Sequence, residues 1–350
     1  MAQGQGTTDV PTARLELTRE QILAHRRLVG ALEERLPAGP ASLRRAAWAG
    51  LQDSVPRAAV LSIHARVQGT APDAWEDQSL VQLWGPRFAV YVVAAEDLAV
   101  FSLGRLPDGG EARRRADDLA LRLNAFLDGR KLTYSEAGHA MGVHPNSLRY
   151  AAATGTVLIS WDGARKPPVW TVPPPGVAPR EARLELARRY LHIFGPATPA
   201  AFADWAGIRP RAAGRAAFDA LGGELTPVRT PIGDAWILAR DEPALRAPAG
   251  PAASARLLPS GDAYWLLQDA DRELLVPDAD NRVKLWTPRV WPGAVLVDGE
   301  IVGTWRRSLA DVTIESWRRL SPAERAAVEA EAASMPLAGI RQLVRVRWED

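Results

Sequence analysis

The sequence predicts an α+β protein in which a small unit of helices followed by a β-hairpin occurs three times, with a β-rich domain after it. Three observations lead to this prediction. The chain has 350 residues, too many for one small domain. Two of its segments align without gaps, which indicates an internal repeat. After about Arg256 the helical pattern gives way to short strands and tight turns.

The aligned segments are Thr133–Pro145 (TYSEAGHAMGVHP) and Thr198–Pro210 (TPAAFADWAGIRP). Each begins with a threonine that can cap a helix and continues for about two helical turns. Each then has a glycine, a β-branched residue and, two positions later, a proline that suits the first turn of a following helix. This order predicts a helix-turn-helix in both places.

Both segments are followed by residues that predict a β-hairpin. In the second unit, Thr156–Trp161 and Val169–Val172 are rich in β-branched and aromatic residues and flank an Asp162-Gly163 turn. In the third unit, two short strands are predicted at Glu224–Val228 and Ala235–Leu238. A helix-turn-helix that ends in a hairpin is the plan of a winged helix.

A first copy of the unit precedes these two. Its leading helix is predicted from Leu17 to Leu32, where Thr18 and Gln21 form a capping box. The remaining elements are predicted at Ala41–Leu51 and Pro56–Val67 (helices), Leu80–Trp84 and Phe88–Val93 (hairpin), and Glu111–Leu127 and Pro179–Phe194 (leading helices of units two and three). The sequence therefore predicts three winged helices at residues 15–108, 109–176 and 177–250, after a flexible tail at residues 1–14.

The C-terminal domain is predicted at residues 251–350. Its strands are predicted at Ala294–Val297, Glu300–Trp305, Val312–Trp317 and Leu343–Trp348. The Asp298-Gly299 turn between the first two is the strongest hairpin pattern in the chain. A helix at Pro322–Met335 is capped by Ser321, with Glu324 three residues on. We expect a compact β-rich domain of barrel-like form.

The positive charge of the chain is almost all arginine. The net charge is only +2, and lysine occurs three times among 43 basic residues. A GC-rich coding genome accounts for this bias, but arginine also makes bidentate contacts with phosphate and stacks on bases. Clusters that could line a groove are Arg44-Arg45, Arg113-Arg114-Arg115, Arg306-Arg307 and Arg318-Arg319.

Composition also limits the class of protein. The sequence has no apolar run long enough to cross a membrane and no N-terminal apolar segment of the signal-peptide kind. It contains no cysteine, which excludes disulfides and thiolate metal sites and fits a cytoplasmic protein. We therefore expect a cytoplasmic protein that makes no membrane contact.

The first unit differs from the third at the turn between its second and third helices. Trp48–Ala59 (WAGLQDSVPRAA) matches Trp205–Ala213 (WAGIRPRAA) if three extra residues, Gln52, Asp53 and Ser54, are allowed. These add an amide, a carboxylate and a hydroxyl to the turn. Asp53 or Ser54 could cap the next helix, or the three could form a polar site at a helix N-terminus facing DNA.

Several stretches carry a resemblance to a known family: Gly50–Gln52 with Pro56–Ala59, Glu181–Tyr190, Phe194–Pro199, Leu258–Asp262 and Val302–Trp305. On these the chain from about Leu17 resembles the bacterial AlkZ/AlkX-type winged-helix DNA glycosylases, which excise alkylated purines and unhook interstrand crosslinks. The resemblance implies a concave cradle of three winged helices with a C-terminal β-domain. That architecture agrees with the one predicted from the repeats.

The resemblance also implies a catalytic motif in the widened turn. The family carries Gln-x-Gln or Gln-x-Asp there, and its first glutamine corresponds to Gln52. The third position falls on Ser54, which departs from the family pattern. The carboxylate of Asp53 stands at the middle position, where the family usually carries a residue that does not face the substrate. The candidate catalytic residues are Gln52, Asp53 and Ser54.

The first hairpin departs from the family as well. There the pattern resembles Trp-x-x-Arg-Gly-Thr-x-His, and this chain has Trp84 and Arg87 followed by Phe88, Ala89 and Tyr91. We expect DNA contacts from residues of this hairpin, the helix-turn-helix segments and the Asp298-Gly299 hairpin: Arg57, Arg87, Tyr91, Arg149, Arg211, Trp305, Arg306 and Arg307. Ordinary solvated arginines, and a core position for Trp305, are the competing interpretations.

No pattern predicts a metal ion or a cofactor. His139 and His144 are badly spaced for one metal, and His64 is typical of an interior histidine. The acidic stretch of Asp262, Asp269, Asp271 and Glu273 is more typical of a solvated face than of a metal cluster.

We therefore expect a monomeric, metal-free, monofunctional glycosylase that removes alkylated bases from double-stranded DNA. Catalysis would be restricted to labile, cationic or bulky adducts, or would be lost with binding retained. The alternative is a non-catalytic winged-helix DNA-binding protein.

Overall fold

The computed structural model of the chain describes residues 14–55, 57–163, 166–267, 270–340 and 342–349. Helices and strands form a mixed α and β fold, as predicted. Among the described helices, none has both the length and the apolar character required to cross a bilayer. The flexible tail predicted at residues 1–14 lies outside the described residues, apart from Arg14, which pairs with Asp234 at 2.5 Å.

The first segment, residues 14–108, opens with the helix that its capping box predicts. The Thr18 hydroxyl accepts a hydrogen bond from the Gln21 N–H, and the Gln21 side chain accepts one from the Thr18 N–H. The elements are β1 (Leu15–Glu16), α1 (Arg19–Val29), α2 (Pro40–Ala46), β2 (Leu51–Gln52), α3 (Ala58–His64), β3 (Leu80–Trp84), β4 (Val90–Ala94) and α4 (Leu98–Leu103). Pro56, expected in the first turn of α3, lies outside the described residues.

The second segment, residues 109–176, differs from the prediction at one helix. Its elements are α5 (Gly110–Leu127), β5 (Leu132–Thr133), α6 (Tyr134–Ala140), β6 (Val157–Ile159) and β7 (Pro168–Thr171). Where the second helix of the helix-turn-helix was expected, the chain forms a 3₁₀ helix, Pro145–Thr154. This helix crosses α6 closely, because a Cβ on Gly138 would lie only 2.6 Å from the Pro145 Cα.

The third segment, residues 177–250, follows the prediction closely. Its elements are α7 (Pro179–Phe194), α8 (Pro199–Ala206), α9 (Ala212–Leu221), β8 (Leu225–Thr230), β9 (Gly233–Leu238) and α10 (Glu242–Arg246). Gly207 ends α8 in the left-handed region at φ 71°, which a glycine adopts without strain. Tyr190 of α7 packs against Phe202 and Trp205 of α8.

The three segments share their sheets. The first two hairpins join into one six-stranded sheet of order β2-β4-β3-β6-β7-β5, in which Gln82 of β3 pairs with Ile159 of β6. The third hairpin is extended by β1, which runs parallel to β8. One hydrophobic cluster also joins residues of all three segments to the C-terminal segment. The repeats therefore pack as one body around a common core.

The C-terminal segment is an open sheet covered by a helix. Its elements are β10 (Ala255–Leu258), α11 (Asp271–Leu275), α12 (Ala279–Leu285), β11 (Gly293–Val297), β12 (Glu300–Ser308), β13 (Asp311–Ser316), α13 (Pro322–Ala333) and β14 (Arg345–Glu349). The strands form one sheet of order β10-β11-β12-β13-β14. No closed barrel, the form we expected, is found among the described residues. Val328 and Ala332 of α13 instead bury the apolar sheet face against Val295.

Candidate active site

The widened turn of the first segment forms an edge strand of the six-stranded sheet. Leu51 and Gln52 pair with Val92 and Tyr91 of β4, and the Asp53 N–H donates to the Val90 carbonyl at 2.8 Å. The corresponding residues 207–211 of the third segment, all of them described, form no strand. The extra residues therefore let the turn reach a neighbouring strand, which fixes the backbone at Gln52.

The Gln52 amide is held between the first hairpin and the C-terminal segment. Its Oε1 accepts hydrogen bonds from Arg87 Nη2 at 3.4 Å and from the Tyr91 hydroxyl at 3.5 Å. On the other side lies Gly261, where a Cβ would come within 3.1 Å of Gln52 Nε2. Both hydrogen bonds are long, as is common at catalytic groups before a substrate binds. The half-buried amide is thus oriented, but its hydrogen-bonding capacity is not used up.

The Asp53 carboxylate is fully buried and caps the first turn of α3. Its Oδ1 accepts a hydrogen bond from the Ala59 N–H at 3.0 Å, and its Oδ2 accepts one from Gln82 Nε2 at 3.0 Å. The Gln82 amide is itself oriented, because its Oε1 accepts from the Trp161 N–H at 2.6 Å. This is the capping role considered for Asp53 from the sequence, and it leaves the carboxylate facing away from open surface.

The burial of Asp53 has an electrostatic consequence. Loss of solvent raises the pKa of Asp53 to about 7, although the Ala59 N–H and the nearby Arg57 favour the ionised form. Near neutral pH the group is therefore partly protonated. Ser54, the next residue, is exposed at the tip of the turn.

A cavity of about 240 Å³ opens beside the turn. Val55 and Ala58 line it on one side, and Ser260, the neighbour of Gly261, lines it on another. Trp305, Arg306 and Arg307 of β12 line it too, and both arginines are exposed residues. Two of the predicted DNA-binding arginines thus lie at the cavity next to the Gln52 turn.

Tyr91 and Trp305, two residues predicted to contact DNA, are both buried in the structure. Tyr91 is fully buried, and its ring packs so tightly that a Cβ on Gly85 would lie 2.7 Å from it. Trp305 is buried as well, with its indole N–H donating to the Leu258 carbonyl at 2.9 Å. The Tyr91 ring lies in the core, whereas Trp305 lines the cavity beside the turn. Tyr91 instead supports Gln52 through its hydroxyl.

The other four arginines occupy different places. Arg57, at φ 68°, stacks over the Trp75 ring at 4.0 Å beside the turn, and Arg87 contacts Gln52. Arg149 is half-buried on the 3₁₀ helix of the second segment. Arg211 is exposed at the third-segment turn and pairs with Asp204 at 2.6 Å. The fold brings Arg57 and Arg87 to the turn, while Arg149 and Arg211 lie in other segments and stay predicted DNA contacts.

The acidic stretch near Asp262 is divided, with Asp262 and Asp271 buried in ion pairs and Glu273 exposed. Asp262 is buried and accepts hydrogen bonds from both Arg66 nitrogens, at 2.7 and 2.8 Å, and from Ser62 at 2.6 Å. Burial opposes its ionisation, but the Arg66 charge outweighs burial and holds the pKa of Asp262 below its ordinary value. Asp271 pairs with Arg26 at 3.2 Å, and Asp269 lies outside the described residues.

Sequence reasoning missed the supporting residues of the site. Gln82 orients Asp53, and the Arg66–Asp262 pair joins the end of α3 to the loop that carries Gly261. An isolated glutamine or arginine gives no indication of such a role, because each partner is distant in sequence. The signal for Gly261 was present in the Leu258–Asp262 motif, but its contact with Gln52 was not.

One group of potential metal ligands is found among the described residues. His25, His192 and Asp241 offer ligand atoms within 4.8 Å of one another. His192 Nδ1 lies 2.9 Å from the Asp241 carboxylate, and burial lowers the pKa of His25 to about 4, so that its imidazole is neutral. These residue types suit a divalent first-row metal, but they come from α1, α7 and the 3₁₀ turn before α10 rather than from the Gln52 turn.

Comparisons with known proteins agree with this architecture. The family of AlkZ-like DNA glycosylases matches residues 44–336. An interstrand DNA cross-link repair glycosylase of Streptomyces sahachiroi is 24% identical over 331 residues, which cover 81% of this chain and 87% of the relative. The solved structure of the Streptomyces sahachiroi DNA glycosylase AlkZ has a TM-score of 0.77 at 22% identity and covers 96% of this chain and 100% of its own.

The last comparison concerns the fold alone, because its sequence identity is low. The family match covers most of the chain, including the Gln52 turn, the first hairpin and β12. On that match, this chain belongs to the AlkZ-like DNA glycosylase family.

Proposed function

We propose that the protein is a monofunctional DNA glycosylase that hydrolyses the N-glycosidic bond of alkylated bases in duplex DNA. Its substrates would be N7-alkylated purines, including bulky and crosslinked adducts. Family membership supports glycosylase chemistry, and the similarity to a protein named an interstrand DNA cross-link repair glycosylase supports this substrate class.

The protein does not need to activate the leaving group, which is the alkylated base. An N7-alkylated purine is cationic, so its glycosidic bond breaks without prior protonation. The protein must position a water molecule and stabilise an oxocarbenium-like sugar as charge develops. A glutamine amide can do the first, because its carbonyl accepts a hydrogen bond from water and its NH₂ group donates two.

We assign the catalytic role to Gln52. The observation that carries the proposal is the oriented amide of Gln52, held by Arg87 and Tyr91 in a turn whose Val55 lines a cavity together with Arg306 and Arg307. In this proposal Asp53 acts as a positioning residue, because it is buried and caps α3. Ser54, exposed at the tip, contacts the substrate without replacing a carboxylate.

We further propose how the fold serves this function. Residues 15–108, 109–176 and 177–250 act as three winged helices that hold duplex DNA, with residues 251–350 as the C-terminal domain, and the protein works as a monomer. Phosphate contacts are assigned to exposed and half-buried arginines: Arg57, Arg87, Arg149, Arg211, Arg306 and Arg307.

The test is release of 7-methylguanine from duplex DNA by the wild type and by the Gln52→Ala variant. We expect release to fall by about 10²- to 10⁴-fold in the variant, with duplex affinity retained. Gln68→Ala is the matched control, since Gln68 is an exposed glutamine after α3. Equal release by the wild type and Gln52→Ala would contradict the assignment.

The capping role of Asp53 favours a second candidate, a DNA-binding protein without catalysis. If the turn exists only to cap α3, Gln52 has no chemical task. That candidate predicts salt-dependent binding of duplex DNA with no base release, even when the protein is in excess over DNA.

A further inference from the structure

A second cavity, of about 460 Å³, lies where the three segments meet. Phe88, at the tip of the first hairpin, and Tyr150, on the 3₁₀ helix of the second segment, line it. Ala112 and Arg115 of α5 line it from the second segment, and Arg209 lines it from the third. Its volume is in the range of small-molecule sites, and it is separate from the cavity beside β12.

The cavity wall offers aromatic and guanidinium surfaces. The Phe88 and Tyr150 rings meet edge to face with centroids 4.9 Å apart. The Arg115 guanidinium lies over the Tyr150 ring at 4.1 Å, and Arg105 lies 5.7 Å from the Phe88 ring. Glu111 and the Arg209–Asp204 pair, at 2.8 Å, offset part of the arginine charge of the lining. Aromatic rings and guanidinium planes are the surfaces on which unstacked bases and other flat π systems bind.

The hairpin tip connects this cavity to Gln52. Arg87 and Phe88 are consecutive non-glycine residues in the left-handed region, at φ 54° and 59°. The turn directs the Arg87 side chain to Gln52 and the Phe88 ring to Tyr150. It is also clamped by the third segment, where a Cβ on Gly207 would lie 2.9 Å from the Arg87 nitrogen. Backbone strain of this kind is held mainly at functional sites.

We propose that the cavity lined by Phe88 and Tyr150 binds a planar aromatic group of the damaged nucleotide while Gln52 acts on its glycosidic bond. The group is either the alkylated base or an aromatic substituent on it. This inference rests on the proposed function for its setting. It adds a binding subsite separate from the cavity beside β12.

The test fills the cavity and measures binding. Ala112 is exposed on α5 and lines the cavity, so Ala112→Trp occupies it with little effect on the core. Ala125→Trp, at an exposed position of the same helix outside the cavity, is the matched control. Tyr150→Leu removes the stacking ring without adding bulk. The probes are duplexes carrying 2′-fluoro nucleotides of 7-methylguanine, 7-benzylguanine or unmodified guanine, in which the fluorine slows cleavage.

We expect the wild type and Ala125→Trp to prefer modified over unmodified duplex, and Ala112→Trp and Tyr150→Leu to lose roughly 5- to 150-fold of that preference. Loss for both adducts assigns the cavity to the base, and loss for the benzyl adduct alone assigns it to the substituent. A wild type without preference, or a preference that both variants keep, overturns the inference even if base release is normal. Preference without release supports the cavity and contradicts the proposed glycosylase.

Discussion

The turns of the first and third segments both follow the sequence Trp-Ala-Gly, but they differ in length and in structure. After Gly207 the third turn leads within a few residues into α9, and its Asp204 carboxylate pairs with Arg209 and Arg211 at the surface. The first turn adds three residues, becomes a strand and buries Asp53. The same helix-turn-helix plan thus serves as a packing device in one place and as a scaffold for an oriented amide in the other.

The two aspartates show what the difference does to charge. Burial raises the pKa of Asp53 to about 7. Burial also acts on Asp204, but hydrogen bonds from Arg211 and Arg209 outweigh it and hold the pKa of Asp204 below its ordinary value. The inserted residues therefore add a buried carboxylate with a raised pKa, whereas Asp204 at the end of α8 stays ionised beside its arginines.

The largest effect is expected from deleting Gln52–Ser54, which makes the first turn as short as the third. The deletion removes β2 and the cap on α3. It leaves the buried Ala59 N–H without the Asp53 carboxylate, and the Gln82 amide keeps only its hydrogen bonds with Trp161. Each lost hydrogen-bond partner in the interior costs about 1–3 kcal/mol. Chemical denaturation should therefore show a drop of several kcal/mol in the free energy of unfolding. Base release should vanish. Replacing the three residues by glycine keeps the length and serves as the control: release vanishes, but less stability is lost. Equal stability of the two variants would refute the role given to β2.

A large loss is expected from Asp262→Ala, which leaves Arg66 buried without its carboxylate. Breaking a buried ion pair in this way costs about 3–5 kcal/mol. The matched change in the third segment, Asp204→Ala, removes pairs with exposed arginines and should cost about 1 kcal/mol or less. Urea denaturation of both variants measures the difference, and equal losses would contradict it.

An intermediate, pH-dependent effect is expected from Asp53→Asn. With a folded-state pKa near 7 and an ordinary pKa in the unfolded chain, Asp53 keeps a proton on folding between about pH 4 and 7. Raising the pH through this window therefore destabilises the wild type relative to the variant. Denaturation at pH 5 and pH 8 should show this change for Asp53→Asn.

Asp204→Asn provides the contrast for the pH experiment. The lowered pKa of Asp204 keeps it ionised in the folded and unfolded protein throughout pH 5 to 8, so its difference from the wild type should stay constant there. His25 and His64 are common to all three proteins, and their contributions cancel. If the stability difference between Asp53→Asn and the wild type were also constant from pH 5 to 8, the pKa of Asp53 would not be raised.

The smallest effect is expected from surface arginines near the two turns. Arg306 and Arg307 lie at the cavity beside the first turn, and Arg211 lies at the third. Removing one arginine that binds a phosphate lowers the slope of log affinity against log salt by about 0.9 for duplex DNA. We expect the double change Arg306→Ala with Arg307→Ala to lower the slope by up to about twice this value, and Arg211→Ala to lower it once. An unchanged slope in the double variant would remove these residues from the DNA contact.

Local patterns predicted much of the fold. The capping boxes at Thr18 and Ser321 placed the starts of α1 and α13, because both hydrogen bonds lie within four residues. The repeat located helix-turn-helix segments, although the 3₁₀ helix at Pro145–Thr154 depends on a close contact with Gly138. The open form of the C-terminal sheet was not predicted, because whether the strands close into a barrel depends on where α13 packs.

The candidate site was predicted in its location but not in its geometry. The three extra residues pointed to the turn, while the strand pairing of Gln52 with Tyr91 depends on a partner 39 positions away. Burial of Tyr91 and Trp305 likewise results from neighbours such as Gly85 and Leu258 that no local pattern connects to them. Aromatic residues in a hairpin suit a DNA surface and a core equally well.

Gln82 links the second hairpin to the turn of the first segment. Its backbone forms the pairing between β3 and β6, by which the first and second hairpins become one sheet, and its side chain bridges Asp53 and Trp161. A tilt of the second hairpin against the first therefore shifts the hydrogen-bond partner of the Asp53 carboxylate, next to Gln52. If duplex DNA displaced the second hairpin on binding, the Gln82 side chain would transmit that displacement to Asp53 in the turn of the first segment.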